Sequence, residues 1–306
     1  MKSVRNAMFQ QRNTSFATNV QTNLIQKNMK IIKCIAMAFV SLVAVSCNNS
    51  EDPIESLIVK QPMSFTATID GGPSARQDTS GRRYTHLLSN WRVFFDAGDA
   101  ISVFDGNNDN RSFVTNVGGA TAFFEGEAAS AGTYTALYPY QPDATLDGTK
   151  LEAVLPSAQR PVLGGYDPEA NLSVATTDNS EKNFFFLNAC ALIQFWLSGS
   201  ARAVQLTITG DAAAAGEATI DTQTMAVERT GTKAVITVTD GALSSLMEYV
   251  PYYIAVWPGT YNSFRFRVTN LQNKYKVTDI SVPSGYRLER GKIYDVGEVE
   301  VANVVM

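Results

Sequence analysis

From residue 60 onward the chain is written in short apolar stretches separated by turn residues, and almost none of it shows a sustained 3.6-residue period. Such punctuation leaves no room for long amphipathic helices and requires the apolar residues to be buried on pleated surfaces. Candidate strands are 63–69, 100–104, 112–117, 120–125 and 132–138, then 184–197, 203–209, 217–221, 234–238, 252–256, 263–269, 274–277 and 293–301. Within Phe264-Arg265-Phe266-Arg267-Val268 the apolar residues point one way and the arginines the other, which predicts an antiparallel strand with one wet face. Asp-Gly and Gly-Gly pairs at 105–106, 118–119, 147–148, 164–165 and 240–241 fall between the runs as turns. One exception is 241–250, where Leu243, Leu246, Met247 and Val250 recur at helical spacing and predict a short helix before Pro251.

The expected fold class is therefore all-β, with two β-sandwich domains in series and at most one or two short helices. The polar, turn-rich stretch 165–183 suggests a boundary, giving an N-terminal domain over 61–175 and a C-terminal domain over 184–306. The alternative is that 150–183 is one long loop on a single domain. The formal charge of −4 gives no basic footprint for nucleic acid.

Ahead of the strands, Lys30 and Lys33 form the charged start of an apolar run, 31–45, that is closed by Ser46-Cys47. A spanning helix needs about 20 apolar residues, so the run reads as an export signal rather than a membrane span. Residues 29–46 are the expected signal, 1–28 an over-extended start, and 47–60 a polar tether. Ala44-Val45-Ser46-Cys47 resembles a lipobox, which makes Cys47 the expected lipidation site and the outer membrane a partner through that lipid. An ordinary signal cut elsewhere, or an uncleaved anchor helix, would explain the same run. Ser50-Glu51-Asp52 resembles the serine-plus-acidic address of Bacteroidetes surface lipoproteins, and reads equally as a solvated spacer. With Cys34 inside the signal, Cys190 stands alone in the mature chain as a small buried apolar residue.

Residues for catalysis are sparse. The sole histidine, His86, lies in a polar stretch with no nucleophile motif beside it, and reads as a loop residue. Asp105-Gly106-Asn107-Asn108-Asp109-Asn110 has the oxygen density of a calcium loop, yet Asn116 stands where the bidentate glutamate belongs, so a turn of Asx residues is the preferred reading. Phosphate-loop, dinucleotide and zinc patterns do not occur, and no enzyme activity, cofactor or metal is expected. Aromatic residues gather around two prolines: Tyr138 and Tyr140 at Pro139, and Trp257 and Tyr261 at Pro258. They are candidates for a sugar- or protein-binding platform, with core packing as the competing explanation.

Three segments in order resemble the fimbrillin family of Bacteroidales, the subunits of lipoprotein-derived type V pili. They are Met63-Ser64-Phe65-Thr66-Ala67-Thr68-Ile69; Phe95-Asp96-Ala97-Gly98-Asp99-Ala100-Ile101-Ser102-Val103-Phe104 with Gly132-Thr133-Tyr134-Thr135-Ala136-Leu137-Tyr138-Pro139-Tyr140; and, in the second half, Phe186 to Leu192, Tyr253 to Tyr261 and Arg290 to Tyr294. Phe95 stands where the family has tryptophan. The resemblance implies transthyretin-like Greek-key sandwiches and a subunit exported as a lipoprotein to the cell surface. It also implies a protease cut after an arginine that removes the first strand, and a strand of a neighbouring subunit that fills the slot. Arg82 and Arg83 are the cleavage candidates, with Arg76 second. Expected partners are other fimbrial subunits, and a host or bacterial surface protein or glycan. The segment 296–301 reads either as a final sheet strand or as the donated one. A surface glycan-binding lipoprotein of a polysaccharide-uptake system is the alternative function, motivated by the same export signal and by Trp257 and the tyrosines.

Overall fold

The structure, a computed structural model, describes residues 59–69, 95–162, 165–231, 234–239 and 245–301. All of these belong to one compact unit, 58–306. The expected signal, Cys47, most of the tether, Arg76, Arg82, Arg83 and His86 lie outside the described residues.

The architecture is all-β. In chain order the strands of the first half are β1 (Lys60–Ile69), β2 (Ala100–Phe104), β3 (Asn110–Thr115), β4 (Thr121–Ala129), β5 (Thr133–Tyr138), β6 (Thr145–Asp147), β7 (Lys150–Leu155), β8 (Ala158–Gln159), β9 (Ser173–Asp178) and β10 (Asn183–Asn188). Those of the second half are β11 (Ala191–Leu197), β12 (Ala201–Gly210), β13 (Gly216–Asp221), β14 (Val227–Arg229), β15 (Val235–Thr239), β16 (Tyr252–Val256), β17 (Gly259–Asn270), β18 (Tyr275–Leu288) and β19 (Ile293–Val299).

The sandwich expected in the first half is closed on itself. Strands run in the order β1-β10-β9-β5-β2-β3-β4, and β1 completes the ring by pairing with β4 on one side and β10 on the other. The second half forms a five-stranded sheet, β18-β17-β12-β15-β8, with a three-stranded sheet, β16-β11-β19, and a four-stranded sheet, β14-β13-β7-β6. Alternation is realised as read: Phe264, Phe266 and Val268 are buried, while Arg265 pairs with Asp279 and Arg267 lies over the Tyr275 ring.

The sheets do not follow the expected division at 165–183. Strand β9 lies within that stretch and β10 begins at its end, and both belong to the barrel, whereas β7 and β8, earlier in the chain, pair with β13 and β15 of the second half. Accordingly the larger apolar core gathers Phe104, Leu137 and Leu151 with Phe195, Trp257 and Phe266. A second core, formed by Met63, Phe65, Phe113, Tyr134, Phe184 and their neighbours, fills the barrel.

The helical spacing at 241–250 does not produce a helix among the described residues 245–250. Leu246 instead exchanges both backbone hydrogen bonds with Ala201 and is buried there. Sheet pairing with a neighbour distant in sequence has overridden a short local period.

Candidate functional site

β1 occupies the most distinctive position in the molecule. It lies antiparallel to β4 from Lys60–Ala129 to Thr68–Thr121, and parallel to β10 from Thr66–Asn183 to Ile69–Phe186. The Thr66 N–H donates to the Lys182 carbonyl at 3.0 Å where the parallel pairing begins. Its inward residues are Met63, Phe65, Ala67 and Ile69, all buried; on the other face Ser64 is exposed, Thr66 half-buried and Thr68 buried. Phe65 is the centre of an aromatic cluster, with ring centroids 5.3 Å from Phe113, 5.0 Å from Tyr134 and 4.8 Å from Phe184. Opposite Met63, β4 carries Gly126, where a Cβ would lie 2.8 Å from the Phe113 ring; the glycine lets β3 and β4 close over that core.

Immediately downstream of residues 70–94, the chain is fastened again at Phe95. Phe95 and Gly119 exchange backbone hydrogen bonds at 2.9 and 2.8 Å, and the buried Phe95 ring packs against Phe124 and Tyr138. Gly98, at φ +98°, forms the turn that follows, and Asp99 Oδ2 accepts the Asp96 N–H and the Tyr138 hydroxyl, each at 2.9 Å. Gly98 and Asp99, within the segment quoted for the resemblance, thus form and fasten the turn that leads into β2.

These contacts define a slot. Without β1, β4 and β10 would each present a row of unpaired N–H and C=O groups along an apolar floor, which is the template an added strand requires. Burying each of Met63, Phe65 and Ile69 contributes about 1.5–3 kcal/mol. Their combined contribution is of the order of a whole domain's stability. The strand therefore does not leave of its own accord, and replacing it takes another strand that fills the same floor.

The aromatic platform expected at Pro139 and Pro258 is largely absent. Trp257 is fully buried with Nε1 donating to the Gly216 carbonyl at 3.0 Å. Tyr261 is fully buried, its hydroxyl donating to the Trp257 carbonyl at 2.7 Å, and burial pushes that phenol up to about 12. Tyr138 has its ring in the barrel core and its hydroxyl on Asp99. Side chains with no exposed face cannot stack on a ligand. Tyr140 alone of the four keeps part of its surface, beside Asp99, Pro168 and Glu169 at the edge of a 240 Å³ hollow.

The Asx reading of 105–110 is the arrangement found. One oxygen of the buried Asp105 carboxylate accepts from the Asn107 and Asp109 N–H groups, and the other from Ala129 N–H and Arg111 Nε. No cluster of three metal-ligating side chains occurs among the described residues. Cys190 is buried, and desolvation pushes its thiol up to about 12. Of the two readings of 296–301, the structure seats this segment in its own chain: β19 pairs with β11, Val299 is buried, and Val301 N–H donates to Ser198 Oγ.

Sequence reasoning did not find β10 as the second wall of the slot. The signal was there in Phe184-Phe185-Phe186-Leu187, whose alternation leaves Phe185 61% exposed between two buried phenylalanines.

No family model matches the chain, and no curated protein matches it in sequence. Among solved structures it is similar to a provisionally assigned cell adhesion protein of Bacteroides uniformis, at 16% identity over 78% of this chain and 93% of that one, with a TM-score of 0.45. It is also similar to a fimbrial protein of Bacteroides ovatus, at 15% identity over 78% and 50% of the respective chains, with a TM-score of 0.37. The tip fimbrial protein Mfa3 of Porphyromonas gingivalis matches at 10% identity over 75% and 86%, with a TM-score of 0.30.

Proposed function

We propose that the chain is a structural and adhesive subunit of a cell-surface fimbria, in which β1 is the removable strand and the slot between β4 and β10 accepts a strand from a neighbouring subunit. The observation that carries this reading is the seating of β1. It closes the barrel and supplies four inward residues, and the chain is fastened again at Phe95 through Gly119, so a cut anywhere in 70–94 leaves β1 held to the barrel by non-covalent contacts alone. Arg82 and Arg83, with Arg76 second, are the proposed cleavage points, because all three fall in that link. The ordered motifs in β1, at Gly98-Asp99 and at Trp257-Pro258 support the same reading. Lipidation of Cys47 would deliver the precursor to the outer membrane before assembly.

The glycan-binding alternative drew on Trp257 and the tyrosines, and burial of Trp257, Tyr261 and Tyr138 removes that support. The test is the N-terminus and mass of the protein isolated from the surface of its native cell. A start at Arg83 or Tyr84 in material that runs as polymers is expected. A diacylated or triacylated Cys47 with β1 intact, in protein that stays monomeric under protease treatment, would refute the polymerising role.

A further inference from the structure

The outer face of the slot carries a feature that β1 does not use. Phe123 of β4 is 64% exposed and Phe185 of β10 is 61% exposed, although both lie on strands hydrogen-bonded to β1. In register, Phe123 stands beside Thr66 and Phe185 beside Thr68, so the two rings straddle the outward side of β1 on opposite flanks. Leu187, two residues beyond Phe185 on the same face, is 36% exposed, and Val114 on β3 adds to the strip. Directly paired residues on one face of a sheet have Cβ atoms about 5 Å apart, and an aromatic beside a bulky β-branched partner is among the favourable pairs. Threonine, though β-branched, offers each ring a single methyl group where isoleucine would offer a larger apolar branch.

Resting on the strand-acceptor reading above, we infer that the slot is built for a partner strand with bulky apolar residues at the two outward positions held by Thr66 and Thr68. The floor fixes the rest of that strand's pattern. It requires an aromatic residue at the Phe65 position, inside the cage of Phe113, Tyr134 and Phe184, and a small one at the Ala67 position, opposite the buried Ala122. The occupant is thus a strand apolar on both faces over its last four residues. It is not β1 of a second copy, which brings the same two threonines and gains nothing over the resident. The exposed phenylalanines give exchange a direction: the incoming strand covers apolar surface that β1 leaves in water, so replacement runs downhill even though β1 already fills the floor.

The test uses the full chain carrying a protease recognition sequence after Ser80, cut so that β1 stays in place non-covalently. Two synthetic peptides compete for the slot, one with the sequence Lys60–Ile69 and one with the same sequence bearing Thr66→Ile and Thr68→Ile. Release of the labelled resident strand is read as a function of peptide concentration. The isoleucine peptide is expected to displace it at about threefold to tenfold lower concentration, the product of two improved cross-strand pairs. That advantage should vanish when the cut protein carries Phe123→Ala and Phe185→Ala. Equal potency of the two peptides would overturn the inference while leaving the strand-acceptor reading standing. An advantage that survives the alanine substitutions would also overturn it, because the gain would then come from strand propensity. If neither peptide enters the slot, the strand-acceptor reading itself fails.

Discussion

Replacing Phe65 by alanine is the sharpest test of whether β1 is a separable part of the barrel. The side chain is fully buried at the middle of the strand and touches three aromatic rings with centroids within 5.3 Å. A Phe→Ala change at such a site costs about 3–5 kcal/mol from lost transfer energy and the cavity left behind. At room temperature that corresponds to between about a hundredfold and a few thousandfold more of the open form. Because the strands that pair with β1 among the described residues are β4 and β10, the cost should fall on their shared opening rather than on global unfolding. Native-state hydrogen exchange reads this directly. Amides of β1, of 121–129 and of 182–186 should exchange faster by that factor, while those of β12 and β17 in the second half keep their protection. Phe65→Leu, which keeps most of the volume, should give a much smaller effect. Uniform acceleration across both halves would show that β1 is welded into one cooperative unit, and the argument for a removable strand would be refuted. No acceleration would mean that the aromatic cage does not hold the strand.

Other consequences concern residues first singled out for chemistry. Trp257→Ala should lower stability by about 3–5 kcal/mol through loss of core volume; Trp257→Phe should cost less, mainly the hydrogen bond to Gly216 O, and thermal melts of both would check the order. Cys190 should resist alkylation in the native protein and react only on unfolding, as followed by mass mapping of its peptide, since its thiol is buried and pushed up to about 12. Burial pushes the Asp105 carboxyl up, but the Ala129 and Asn107 N–H groups and the Arg111 guanidinium outweigh it and hold it below its ordinary value. Its contribution is therefore complete above the unfolded value of about 3.9 and is lost as pH falls through the lower folded value. Denaturant midpoints of wild type and Asp105→Asn should accordingly begin to converge only as pH falls below about 3.9, and addition of calcium should shift neither, because the carboxylate oxygens are already taken by protein donors.

What the sequence determines here is local. Short apolar runs, alternating in places and broken by Asp-Gly and Gly-Gly pairs, dictate strands and turns because successive side chains on an extended backbone must face opposite ways, whatever lies beyond them. That is why β1 and β17 are legible with their buried faces, why β2 and β5, buried along nearly their whole length, are legible only as strands, and why Asp105 reads as a turn. Partnership is not legible in the same way. Any exposed edge offers the same N–H and C=O groups, so period alone does not tell that β10 joins the barrel beside β1, or that β7 and β8 cross to β13 and β15. Nor does it separate a buried tryptophan from a binding one: Trp257 sits at the end of β16, and only the packing of β13 over it, with Gly216 supplying a carbonyl, decided that it belongs to the core. The tertiary structure alone placed Phe123 and Phe185 on either side of β1, because that juxtaposition depends on which strands the chain brings together across more than a hundred residues of sequence.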